Sequence, residues 1–415
     1  MTAHATPWPE ATLGEISTKV TVGFVGSMSH LFRARGVPLL RGTNVLPGRI
    51  DLTNLRYISH LTHKSWSKSA LQPGDLVLVR VGYPGRTAIV PDSLKEANAA
   101  SLVIVRPDRR FLNPSFAMHV LNSRLGSARI EEQLVGGAQQ VFNTGLAAKL
   151  QIPLPPRSEQ DRIAVVLDDI DELIATLERM IVKKQAIKQG VVQKLLTGET
   201  RLPGFSTPWS RVCLRDAGST YGGLAGKTKD DFGTGSASFV TFTEVMESPR
   251  LHGRRLERVK VLANERQNSV RRGDVLFNGS SETPEEVALA AVVDFNPSPT
   301  TFLNSFCFGY RLKQYELIDP GYLAYFFRSG SGRALVASLA QGATRYNIAK
   351  TKVLNLSLLL PPIDEQRAIV AAFQDSENEI MAIKRRLAKK RNVKQGIMQQ
   401  LLTGRTRLPI EEGAA

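Results

Sequence analysis

The stretch LPPRSEQDRIAVVL at 154–167 returns as LPPIDEQRAIVAAF at 360–373. Pro155, Glu159, Ile163, Lys188, Gly190, Leu195, Thr197 and Gly198 recur as Pro361, Glu365, Ile369, Lys394, Gly396, Leu401, Thr403 and Gly404, every one displaced by 206 residues. A match of this length at one offset makes the chain an internal duplication, so the two halves must adopt related folds. Each copy opens on Pro-Pro, which helix interiors exclude, followed by a side chain able to cap a helix, Ser158 or Asp364. Each closes on Thr-Gly with proline a few residues on. Between these signals lie about 40 residues, roughly 60 Å of helix. Positions apolar in both copies are Ile163, Leu167, Ile174, Leu177 and Ile181, matched by Ile369, Phe373, Ile380, Ile383 and Leu387. Steps near four and three mark a coiled-coil seam, which shifts around the helix where the pattern resumes at Ile187, Val191 and Leu195. The competing reading is an ordinary amphipathic helix packed on a domain.

The intervening blocks are Gly-rich and turn-punctuated, with short β-type runs such as DLVLVRVG (75–82), SLVIVRP (101–107) and DVLFNGS (274–280). Each also holds a helical stretch near its end, so each is an α+β domain. Both open alike, TPWPEATLGEI against TPWSRVCLRDA, which extends the duplication to the whole unit of domain plus helix. The expected order is a domain over 1–152, a long-helix repeat over 153–203, a second domain over 204–359, a second long-helix repeat over 360–410 and a tail over 411–415. Equivalent helices on one chain can pair antiparallel, as in a two-fold dimer.

Charge narrows the function. Lys and Arg number 54 against 38 Asp and Glu, a net charge of +16. Such an excess seeks anions, and nucleic acid is the most abundant one available; solubility alone needs far less charge. No apolar run reaches the roughly 20 residues of a membrane span, and the start MTAHATPWPE lacks a signal-peptide layout. The expected setting is therefore cytoplasmic, without a membrane. Cys213 and Cys307 are too few for a disulfide framework or a zinc knuckle and read as small buried residues.

This layout resembles the specificity subunit of Type I restriction-modification systems over almost the whole chain. The resemblance is carried by the LPP-xx-EQ openings and LLTG ends of the repeats, by VGFVGSMS and GVPLLRGTNV in the first block, and by YGGLAGKTKDDFG and SFVTFTEV in the second. QPGDLVLVRVG and RRGDVLFNGS look like the strand and loop that follow. The resemblance implies two target recognition domains, each reading half of a split, asymmetric DNA site, with the helices setting the gap. It also implies that two methyltransferase (modification) subunits and the restriction subunits assemble on this chain. S-adenosylmethionine, ATP and Mg would then belong to those partners, with no cofactor here.

A chain of that kind needs no catalytic site, and none is legible. No lysine has an acid two residues before it, as a PD-(D/E)xK nuclease requires, and Pro-Pro follows only leucine, unlike an amino-methyltransferase motif. GGLAGKT (222–228) misses the phosphate-loop pattern because Tyr221 stands where glycine is needed. His60 and His63 lack further ligands at metal spacing and read as surface residues. Asp168, Asp169, Asp171 and Glu172 suit the helix dipole and solvent. The basic run Lys384, Arg385, Arg386, Lys389, Lys390, Arg391 reads as a solvated face or a partner surface.

Base reading draws on Arg, Lys, Asn and Gln in turn-rich loops. The candidates are Arg41, Thr43, Asn44, Arg80, Tyr83, Arg86, Gln139, Gln140 and Asn143 in the first domain. In the second they are Lys227, Lys229, Asn278, Ser280, Ser281, Arg345, Tyr346 and Asn347. Any one of them could instead be a solvated loop residue. The function read is a non-catalytic DNA-specificity subunit, set against a stand-alone nuclease and a scaffold that binds only proteins.

Overall fold

Two long helices carry the duplicated segments: a central helix, Arg157–Thr197, and a distal helix, Ile363–Leu401. Both begin ahead of the expected caps, so Ser158 and Asp364 lie within the first turn, where Asp364 still favours the helix dipole. The repeats end where Gly198 and Gly404 take left-handed φ values of +74° and +70°, which a residue with a Cβ rarely adopts. Trp209 packs over Gly198 and Trp8 over Gly404. The computed structural model describes residues 8–135, 141–339, 342 and 346–408. It divides into two units, one holding residues up to 179 together with 384 onward, the other residues 180–383.

In the first unit, β1 (Glu10–Thr12) and β2 (Ser17–Val22) lead into β3 (Val37–Leu40), β4 (Arg56–Ile58), β5 (Ala70–Leu71), β6 (Leu76–Val79), β7 (Thr87–Ile89), β8 (Ala97–Ala99) and β9 (Leu102–Pro107). An antiparallel sheet runs β2-β9-β6-β7, and a second runs β4-β3-β8-β5 with β3 and β8 parallel. Helices α1 (Pro114–Leu121), α2 (Arg124–Val135) and α3 (Thr144–Lys149) follow, and β10 (Gln151–Pro153) pairs with β1. One face of the first sheet, Leu76, Leu78, Val103 and Val105, packs with Phe116, Val120 and Ile152 into a core.

The second unit repeats the plan with β11 (Ser210–Cys213), β12 (Gly218–Gly222), β13 (Phe232–Val240), α4 (Phe242–Glu247), β14 (Arg250–Leu251), β15 (Glu257–Val259), β16 (Val275–Asn278), β17 (Ser280–Ser281), β18 (Ala290–Val293), β19 (Thr301–Leu303) and β20 (Cys307–Leu312). Then come α5 (Pro320–Arg328), α6 (Gly330–Ala337), β21 (Tyr346–Asn347), α7 (Lys350–Leu354) and β22 (Ser357–Leu360). Its main sheet runs β12-β20-β16-β18-β14, a smaller one β15-β13-β19, and β11 pairs with β22 as β1 does with β10. Buried Val275, Phe277, Phe308, Tyr322 and Phe327 form the matching core.

Within each unit the long helices lie antiparallel. Asp171 pairs with Lys394 at 2.6 Å and Glu178 with Arg391 at 2.6 Å in the first; Lys184 pairs with Glu379 at 2.6 Å and Lys188 with Glu377 at 2.5 Å in the second. The seam residues divide by place. Ile163 and Leu167 join the first domain's core beside Leu401 and Leu402, and Ile369 and Phe373 join the second domain's core beside Leu195 and Leu196. Thus the start of each helix is also part of a domain, so the two sequence readings, coiled-coil seam and amphipathic packing, apply to successive stretches of one helix. Leu177, Ile181, Ile380, Ile383 and Leu387 are buried farther along, and Ile174 is half-buried.

Candidate nucleic-acid interface

Strand pairing gathers loops at one end of each main sheet. In the first unit Gly23, just past β2, donates to the Leu102 carbonyl at 2.8 Å, and Phe142 donates to the Arg80 carbonyl, just past β6, at 3.0 Å. In the second unit Gly223 donates to Cys307 at 3.2 Å, Gly279 to Phe306 at 2.7 Å, and Ile348 to Gly279 at 3.1 Å. The segments after β2, after β6 and before α3 therefore meet at one end, and so do their counterparts after β12, after β16 and before α7. At the opposite end of each main sheet a buried carboxylate ties the strands. Asp75 accepts from Arg106 at 2.7 and 2.8 Å; Asp274 accepts from Arg311 at 2.8 and 2.7 Å and from the Tyr221 hydroxyl at 2.6 Å. Burial first, then the Asp274 charge, pushes the Tyr221 phenol far above its usual range.

Of the candidate readers in the first domain, Tyr83 is exposed and the Arg86 guanidinium lies 3.4 Å from its ring centre. Thr43 is exposed, while Arg41 is partly buried and donates to the Asn54 carbonyl at 3.4 Å. Burial first, then the charge of Arg56, lowers the Arg41 pKa. Arg80 is half-buried at the base of the hairpin. Asn143 is exposed but caps α3, accepting from Leu146 N–H at 3.0 Å. Gln139, Gln140 and Arg345 lie outside the described residues. In the second domain Lys229 and Asn347 are exposed and Tyr346 is half-buried, with β21 paired to β17.

Five candidates are corrected. Asn44 is buried, and its amide donates to the carbonyls of Asp51 and Asn54 at 3.2 Å each. Asn278 is fully buried and donates to the carbonyls of Ser280 and Glu286 at 3.2 and 2.8 Å. Ser280 and Ser281 are buried with it, Ser281 donating to Glu286 at 3.0 Å. The Lys227 ammonium is 4% exposed and bound to Glu265 at 2.5 Å. Asn44, Asn278 and Ser281 hold loops in shape, because short polar groups next to irregular backbone satisfy its buried donors and acceptors, while Lys227 is spent on Glu265.

The acidic cluster at the start of the central helix also departs from expectation. Ser115 donates to Asp168 at 2.6 Å, and buried His119 lies with Nε2 2.8 Å from Asp168 and Nδ1 4.0 Å from Asp171. Lys394 completes the group on Asp171. These carboxylates join domain to helix. His119, inside an otherwise apolar helical run, was the one signal in the sequence. His63 likewise turns inward, its Nδ1 on the buried Asn98 carbonyl oxygen, while His60 stays exposed. Among the described residues no group of three or more His, Cys, Asp or Glu is arranged to hold a metal, and no helix is long and apolar enough to cross a membrane.

Two equivalent α+β domains, each presenting loops at one sheet end and each rooted on a long helix, define a class of protein. The family model for the Type I restriction modification DNA specificity domain matches residues 53–189. A Methanocaldococcus jannaschii protein assigned as the MjaX type I restriction enzyme specificity subunit is 25% identical over 406 residues, covering 90% of this chain and 88% of that protein. The StySPI specificity subunit of Salmonella potsdam is 24% identical over 80% of this chain and 74% of its own length. The S subunit of a Type I restriction-modification system from M. genitalium shares the fold at a TM-score of 0.57 and 13% identity, over 97% of this chain and 98% of that one. Over most of its length the chain is thus similar to type I restriction-modification specificity subunits.

Proposed function

We infer that this chain gives a type I restriction-modification complex its DNA specificity and leaves catalysis to the other subunits. The first domain (1–152) reads one half of a bipartite site and the second (204–359) reads the other. The helical repeats set the spacer and dock two modification subunits, and restriction subunits join that assembly in the cytoplasm. S-adenosylmethionine, ATP and Mg act in those partners. One observation carries this reading: the two sheet ends share their backbone hydrogen bonds yet carry different side chains. Arg80, Tyr83 and Arg86 follow β6, whereas Glu282, Glu285 and Glu286 follow β16. Common scaffolds with unlike tips suit two unlike half-sites.

The test is the methylome of a host carrying the chain with its modification subunit. The expected motif is bipartite and non-palindromic, and a palindrome would sink the two-reader model. DNA affinity of the complex should also fall steeply between about 50 and 200 mM salt. Affinity indifferent to salt would favour a scaffold that binds proteins alone.

A further inference from the structure

The loops that leave β6 and β16 occupy the same place in their domains, because Phe142 and Ile348 donate to the residues following those strands, Arg80 and Gly279. Their chemistry is opposite. The first, RVGYPGR (80–86), holds two arginines and no acid; the second, GSSETPEEVAL (279–289), holds three glutamates and no base.

The first loop is short and pinned at its base. Val79 donates to the Arg86 carbonyl and Gly85 to the Val79 carbonyl, both at 2.9 Å. The Asn122 amide clasps Thr87 from both sides, accepting from its N–H at 3.1 Å and donating to its carbonyl at 2.8 Å. Gly82 and Gly85, at φ +84° and +83°, allow the tight reversal, and Ile130 packs where a Cβ on Gly85 would stand. Val81 and Tyr83 project from this base, 61% and 62% exposed. The Arg86 guanidinium lies flat over Tyr83 and makes no hydrogen bond or ion pair from its side chain among the described residues.

A guanidinium held in a plane with its donors unspent matches the O6 and N7 acceptors that guanine presents in the major groove. Stacking on Tyr83 orders the fork before DNA arrives and so lowers the cost of binding. We propose that Arg86 reads a guanine in the first half-site, with Tyr83 as its positioning residue. The proposal rests on the DNA-specificity reading above. Nothing at the equivalent place in the second domain can make this contact, so the dependence is confined to one half of the motif.

The experiment maps methylation by the complex of the full chain with its modification subunits, for the wild type and for Arg86→Ala, Arg86→Lys, Tyr83→Phe and Tyr83→Ala. Arg86→Ala and Arg86→Lys should each lose about 10- to 100-fold of the preference for guanine at one position, since a bidentate fork is replaced by nothing or by a point charge. Tyr83→Phe keeps the stack and the preference; Tyr83→Ala loses part of it. The other half of the motif stays intact in all four, which also shows that the variants fold. An unchanged motif in Arg86→Ala overturns the proposal, as does relaxation at an A·T position or a uniform loss of methylation with no position relaxed. A wild-type complex that leaves DNA unmodified would instead overturn the function on which the proposal rests.

Discussion

His119 is buried at the joint between α1 and the central helix, and its duplicate 206 residues on is Tyr325. Tyr325 donates to Glu377 at 2.8 Å, and Lys188 donates to the same carboxylate at 2.5 Å, so both joints are closed by a ring, an acid and a lysine. Only the first carries the additional acid Asp168. Burial alone would raise the Asp168 pKa, but hydrogen bonds from His119 and Ser115 and the charges of His119 and Lys394 outweigh it and hold the group below its usual 3.8. A carboxyl depressed on folding stabilises above its unfolded pKa, and that contribution is lost as pH falls through the folded value. In urea titrations at stepped pH, Asp168→Asn should therefore be less stable than wild type at neutral pH. The deficit should be on the order of 1 kcal/mol, discounted because Asp168 is half exposed. It should begin to close below about pH 4, the unfolded carboxylate range, and vanish only below the lower folded value. A deficit that persists there would mean that Asp168 acts through shape alone. Asp274 is the larger case. It is 1% exposed and satisfies Arg311, Tyr221 and the Arg271 N–H at once. Asp274→Ala leaves Arg311 unpaired and should cost about 3–5 kcal/mol, read as a fall in denaturation midpoint at unchanged slope.

At the scale of elements, the EQ pair in each repeat clamps a helix to its domain. Gln160 accepts from the Asn113 N–H at 2.8 Å and donates to the carbonyls of Phe111 and Pro155, both at 2.9 Å. Gln366 does the same to Asp319, Leu317 and Pro361, the positions 206 residues on. Gln160→Leu would strand one donor and two acceptors at the root of the central helix. It should cost about 1–3 kcal/mol and release amide exchange in α1 before the rest of the first domain; protection lost evenly would contradict a local clamp. The glutamines were legible as a repeated motif, and so were the long helices, because constant offset and helical period survive in sequence. The likeness of the two domains was legible only at their matching openings. Gly23 and Gly223 are equivalent at an offset of 200, yet Phe142 and Ile348 stand 206 apart, because loops between strands differ in length. Surface loops absorb such changes at little cost while the paired strands keep their register. The reader residues were legible only in part for another reason. Residue type says that Asn278 or Lys227 can form hydrogen bonds, but only the fold decides whether a loop carbonyl or Glu265 takes them first.

Over the whole molecule, the contacts that seat the helices are the same contacts made twice. Glu159 binds Arg407 at 2.8 Å and Asp171 binds Lys394 in the first unit; Glu365 binds Arg201 at 2.5 Å and Glu377 binds Lys188 in the second. A fragment ending near Phe205 loses the distal helix, so Leu401 and Leu402 no longer cover Ile163 and Leu167. Apolar surface of this kind is strongly driven to find a partner. A second fragment offers one: its Leu195 and Leu196 stand for Leu401 and Leu402, its Arg201 for Arg407 and its Lys188 for Lys394. The fit is imperfect at several places, among them Ile397 and Met398, where the central helix has Val191 and Val192. Gln185 stands where Arg391 pairs with Glu178, and the central helix has Ile170 where the distal one has Ser376. Neither removes a twinned contact. The fragment is therefore expected to be a dimer by light scattering at micromolar concentration. With the modification subunit it should methylate a palindrome built from the first half-site and its inverted repeat. A monomer, or a dimer that still modifies the asymmetric site of the full chain, would refute the equivalence of the two helices.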